Sequence, residues 1–181
     1  MSDLRLRKYG DPVLRKKAKW VEKISSEERD LLSYMVKIMS ENEGVGLAAP
    51  QVGIDKKIII ADTGKELLKL INPQILEGEG ENSLSEGCLS LPEIFIPVNR
   101  ANKIKIEGLD ANKKLIRLTI EGFLARIIQH EIDHLNGVLI IDHASSIKRK
   151  KIENNLKKIA NYTKMILEVK KKRNIEEKQN A

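Results

Sequence analysis

The stretch QHEIDHLNG, residues 129–137, restricts this chain more than any other. His130 and His134 are four residues apart, so on a helix both rings leave one face about one turn from each other. That spacing suits two imidazoles on one metal ion. The chain has 3 histidines, and two of them fall in this pattern. Glu131 follows His130 and can face the same site, where a carboxylate takes a proton from a water activated at the ion. Leu124, Ile127, Ile128 and Leu135 add an apolar stripe, and Gly137 suits the helix end. The pattern therefore predicts a helix from near Glu121–Gly122 to Asn136–Gly137.

Two histidines leave a catalytic site of this kind one protein ligand short, with a further position open for water. The candidates are His143, a carboxylate and Cys88. His143 lies beyond Gly137 and an apolar VLII run that leads it away. Cys88 is the sole cysteine, so it has no disulfide partner within the chain, and it sits in the loop-like stretch SEGCLSLP. Its sulfur is a good ligand for zinc or ferrous iron. The plainer reading of a lone cysteine is a small buried apolar residue.

The rest of the chain predicts an α+β fold: a mixed or antiparallel sheet around a central metal-binding helix, plus a C-terminal helix. Aromatics are only 3% of residues, so the core must be aliphatic. Ser25 and Glu28 have capping-box spacing, and Leu31, Leu32, Met35, Ile38 and Met39 recur at helical intervals, giving a first helix over 26–41. It stops before Gly44-Val45-Gly46, where glycines permit backbone angles that other residues avoid. Residues 57–61, 68–71, 94–98, 103–107 and 115–120 read as strands, the second closed by Asn72-Pro73. Leu109–Asn112 is a hairpin turn. A third helix follows from Ile147 and frays in the polar end NIEEKQNA.

Charge divides the chain. Residues 147–181 hold 12 Lys+Arg and 4 Asp+Glu, a balance of +8, and the other 146 residues hold 21 and 22, a balance of −1. A basic tail of this kind fits an acidic partner, RNA or an anionic membrane, or simply a solvated helix face. No apolar run approaches the roughly 20 residues that span a bilayer. The N-terminus MSDLRLRKYG lacks the apolar centre of a secretory signal. With a single cysteine, the expectation is a reducing cytoplasm.

Three stretches together resemble the motifs of peptide deformylases, in that family's order: GVGLAAPQVG (44–53), EGCLS (86–90) and QHEIDH (129–134). The resemblance covers roughly residues 4–145. It implies a catalytic domain over 1–146 and a basic helical extension over 147–181. It implies a single divalent ion held by Cys88, His130 and His134, ferrous iron by preference, with zinc, nickel or cobalt as substitutes. The implied reaction removes the formyl group from the N-formylmethionine of new polypeptides and releases formate. Glu131 would move the proton, and the Gln51 amide and the backbone N–H of Leu89 would stabilise the oxyanion.

Gly44 and Gly46 would let an extended peptide approach and add as a strand. Val45, Phe123 and Ile127 are the candidates for the methionine pocket. Glu43 and Arg100 are a candidate ion pair, Asp133 a candidate acceptor for a ligand histidine, and Arg126 lies at the entrance or outside it. Phe95 and Ile96 are expected to make the cleft rim apolar. Some bacterial members carry a basic C-terminal helix that docks on the ribosome, so the ribosome is a candidate partner here. A monomer without membrane attachment is expected. Two other functions fit HExxH alone. One is a small metallopeptidase. The other is an RNA-associated protein with a structural metal, which would need a fourth ligand such as His143.

Overall fold

The computed structural model describes residues 4–179, with side chains through Arg173. Helix α1, Ser26–Glu41, starts on the predicted box: the Ser25 N–H donates to Glu28 at 2.8 Å, and the Ser25 hydroxyl accepts from the Glu27 N–H. Its apolar stripe is buried. Past its end, the left-handed backbone falls on Glu43 (φ 54°), not on Gly44 or Gly46. Those two glycines serve space. A Cβ on Gly44 would meet Leu89 Cδ1 at 2.7 Å. One on Gly46 would overlap the Glu131 carboxylate and lie 2.7 Å from Ile127.

Seven strands follow: β1 (Gly46–Ala48), β2 (Ile58–Asp62), β3 (Leu67–Glu79), β4 (Asn82–Cys88), β5 (Leu91–Arg100), β6 (Lys103–Leu109) and β7 (Leu115–Glu121). The order β1-β2-β3-β6-β7 makes one sheet and β4-β5 a second, and every strand pair is antiparallel. Two expectations change. Asn72-Pro73 does not close β3. Asn72 takes φ 54° and ties its side chain to the Val21 backbone, and a register shift between Ile71 and Gln74 absorbs the proline, after which β6 keeps pairing to Glu79. Cys88 ends a strand instead of lying in a loop. That strand, β4, is polar and mostly exposed, so it carries no hydrophobic period, and its pairing with β5 defines it. The short β1 likewise exists through its pairing with β2.

Helix α2, Gly122–Leu135, lies close to its predicted span, with Asn136 as C-cap. Gly137 follows at φ 73°. The N–H groups of Gly137 and Val138 donate to the carbonyls of His134 and Asp133, as in a Schellman motif. Ala125, Ile127, Ile128 and Leu135 bury against Ile59, Leu70, Ile104, Ile106 and Ile120 of the five-stranded sheet, while α1 packs a separate core with Leu47, Ile58, Ile60 and Ile71. Alternate residues of β2 thus point to opposite cores.

Helix α3, Ser146–Gln179, retains helical backbone through 174–179, part of the tail expected to fray; residues 180 and 181 lie outside the described residues. Leu156 is buried with Leu14, Ile94 and Ile96, and Ile152 and Ile159 pack on that cluster. No described helix is long and apolar enough to cross a membrane.

Candidate metal centre and active site

Strand β4 and helix α2 bring the predicted donors together. Cys88 stands at the irregular end of β4, after a register shift opposite β5. Its sulfur is 3.2 Å from His134 Nε2. The ligand atoms of Cys88, His130 and His134 all lie within 4.8 Å of one another, and no fourth acidic, His or Cys group joins them among the described residues. His143 is directed elsewhere, with Nε2 3.0 Å from Asp133.

One thiolate and two imidazoles fit a divalent transition ion with a position left open. The electrostatics agree. Burial pulls the His130 pKa down, but its hydrogen bonds to Cys88 and Glu86 and the charges of Cys88 and Glu131 push it well above the usual value. Those negative groups favour a cation at this point, which is a proton on His130 when no ion is bound. His134 is driven the other way, well below its usual value, by burial and then by the charge of His130. A neutral imidazole is the form that binds metal.

His130 is oriented by Glu86, whose Oε2 lies 3.0 Å from Nδ1, leaving Nε2 for the site. Glu86 is buried and held by two arginines. Arg100 donates to both its oxygens, at 2.7 and 2.9 Å, and Arg126 donates to Oε1 at 2.6 Å. Burial alone would raise the Glu86 pKa; hydrogen bonds from His130 and Arg100 and the charge of Arg100 bring it down to about 2.

This network corrects four expectations. Arg100 pairs with Glu86 and Asp133 and not with Glu43, which lies exposed at the cavity mouth. Asp133 accepts from Arg100 at 2.8 Å and meets His143, so it orients neither ligand histidine; Glu86 has that place at His130. Arg126 is buried, bonded also to the Val98 and Asn82 carbonyls, and it lines the cavity. Ile96 is fully buried in the core while Phe95 is exposed at the rim, because alternate residues of β5 face opposite sides. The part played by Glu86 was not read from the sequence, and Arg126 entered it only as a residue at the entrance or outside it, although each left a signal: a glutamate inside EGCLS, and a lone arginine on the apolar stripe one turn before His130.

A cavity of about 480 Å³ opens beside the donors. Its lining includes the polar groups of His130, Glu131, Cys88 and Gln51 and the apolar side chains of Val45, Phe123, Ile127, Leu84 and Phe95. Gly44, Gly46 and Leu89 also line it. Gln51 is buried in a turn over residues 49–52. Its Oε1 accepts from the Ala48 N–H at 2.8 Å, which directs Nε2 toward Cys88 (3.7 Å) and Ser90 (3.3 Å). Glu131 is 3% exposed, and its Oε2 is buried without a hydrogen-bond partner among the described residues. Burial raises its pKa, and the charges of His130 and Arg100 pull it back only to about 7. A carboxyl poised there exchanges protons readily near neutrality.

Known proteins share this sequence and fold. The sequence profile of polypeptide deformylases matches residues 4–150. The chain is 54% identical over 144 residues to a peptide deformylase of Halothermothrix orenii, covering 78% of this chain and 94% of that one. The crystal structure of peptide deformylase from Thermotoga maritima superposes with a TM-score of 0.77 at 45% identity, over 78% of this chain and 97% of that one. A deformylase from Synechococcus elongatus, solved with actinonin, gives a TM-score of 0.80 at 39% identity, over 84% and 87%. The matches in sequence and fold agree: the chain is a member of the polypeptide deformylase family, metal-dependent enzymes that remove the N-formyl group from nascent peptides.

Proposed function

We propose that the cavity beside Cys88, His130 and His134 is where this chain deformylates formylmethionyl peptides, with Glu131 as the proton carrier. The observation that carries this reading is the buried, unpartnered Glu131 oxygen beside the converged donors. A divalent ion held by the three donors supplies Lewis-acid polarisation and a water of lowered pKa. Glu131 accepts a proton as the water oxygen bonds to the formyl carbon, and it passes that proton to the amine as the C–N bond breaks. Formate and a free amino terminus result. The Gln51 amide, fixed through Ala48, and the Leu89 N–H stabilise charge on the formyl oxygen. Gly44 and Gly46 leave room for the peptide backbone, and Val45, Phe123 and Ile127 receive the methionine side chain.

Ferrous iron is the proposed ion, with zinc, nickel or cobalt able to replace it; a mixed sulfur and nitrogen donor set accepts all four. The catalytic unit is residues 1–146, acting as a monomer in the cytoplasm, and 147–181 is a basic helical extension. Its +8 charge supports docking on ribosomal RNA, where binding would weaken steeply with salt.

The test is formate release from formyl-Met-Ala-Ser by protein purified anaerobically with iron, beside Glu131→Ala. Metal-dependent formate from the wild type, lost in the variant, is the expected result. No formate with iron, nickel or cobalt bound overturns the reading.

A further inference from the structure

The N-terminal segment runs between the two loops that carry the proposed oxyanion donors. Three consecutive residues bond to them. The Arg7 N–H donates to the Gln51 carbonyl at 2.7 Å, and the Tyr9 N–H donates to the Ser90 carbonyl at 2.9 Å. Between them, Lys8 Nζ donates to the Leu89 carbonyl at 2.7 Å. Two of these bonds come from the backbone and are open to any sequence with this path. The third needs a long side chain with a terminal donor, and Lys8 supplies it.

We propose that Lys8 is a positioning residue for this reaction, fixing the Leu89–Ser90 backbone against Gln51 so that both oxyanion donors meet one point. The inference rests on the proposed roles of Gln51 and Leu89. Cys88, the last residue of β4, pairs with Leu91, the first of β5, so Leu89 and Ser90 form a tight two-residue connection. A connection that short transmits a pull on the Leu89 carbonyl to the preceding peptide unit, which carries the Leu89 N–H. Lys8 is itself anchored. Tyr9 packs with the cluster of Leu14, Leu91 and Leu156, and a Cβ on Gly10 would come within 2.8 Å of Ala160 Cα, so α3 backs the segment closely. Burial lowers the Lys8 pKa from its usual value, and the charge of the nearby Cys88 opposes that shift without cancelling it.

The role separates from scaffolding by kinetics. Lys8→Met keeps the length and apolar stem of the side chain and removes the donor together with its charge; Lys8→Arg restores both. With iron-loaded protein and formyl-Met-Ala-Ser, Lys8→Met should lower kcat about tenfold or more, with KM and bound iron unchanged, because donors misplaced by about 1 Å lose most of their effect. Lys8→Arg should recover much of the loss. Metal content and thermal midpoint are measured on the same samples. Wild-type kcat in Lys8→Met, a loss that tracks lost iron, or no recovery in Lys8→Arg overturns the proposal. Those results are distinct from a wild type that releases no formate, which overturns the deformylase reading and this inference with it.

Discussion

Glu86 holds three partners at once, with His130 Nδ1 at 3.0 Å from one oxygen and Arg126 at 2.6 Å from the other, while Arg100 spans both. The carboxylate therefore joins helix α2, which carries His130 and His134, to the strand that ends at Cys88. Glu86→Gln should keep the volume and weaken the hold on the His130 ring. Outer partners of metal ligands typically matter by about 10- to 100-fold in affinity. Chelator competition should show iron or cobalt lost that much more readily, and an affinity equal to wild type would refute the assignment.

Arg126 crosses from α2 to Glu86 and to the Val98 and Asn82 carbonyls. Removing one partner from a buried ion pair costs about 3–5 kcal/mol, since the charge left behind is unpaired. Arg126→Met should lower stability by that order in urea unfolding. Arg126→Met combined with Glu86→Gln should be less destabilised than the sum of the singles, because neither charge is then stranded.

Gly46 leaves no room for a side chain beside Glu131 and Ile127. Gly46→Ala should displace the Glu131 carboxylate and lower kcat about a hundredfold. Iron content should stay near wild type, because no metal donor is touched. A fully active Gly46→Ala would show that the cavity relaxes around the methyl group.

Acid stability has a local source in α1. Burial would raise the Glu28 pKa, but hydrogen bonds from Lys56 and Ser25 bring it to about 2 from an ordinary 4.5. The sign follows from that depression. The contribution is complete above about 4.5, and it is lost as pH falls through the range down to about 2, where the folded state also takes up the proton. Glu28→Gln should flatten the fall in stability between these values and cost about 1 kcal/mol at neutral pH, the usual order for a lost cap. Urea midpoints at pH 6 and pH 3 measure both effects.

Much of this molecule was legible in local sequence. The span of α1 follows from Ser25, Glu28 and a 3.6-residue apolar period, and that of α2 from its stripe and Gly137. Residues four apart on a helix share a face whatever surrounds them, so His130 and His134 could be paired without a fold. The alternating residues of β6 and β7 declare their strands for the same reason. Tertiary structure decided which polar groups meet across elements. Strand β4 is polar and exposed, so only β5 beside it makes it a strand and brings Cys88 to the helix. Arg100 could have reached Glu43 or Glu86 by chemistry alone; burial selects Glu86, because a charge removed from water requires a partner in the same enclosed space. The Asn72-Pro73 pair reads as a stop within its own segment and becomes a bulge because β6 continues alongside. Periodicity and capping are short-range and written in the chain, whereas ion-pair partners, strand edges and the room beside a glycine depend on residues dozens of positions away.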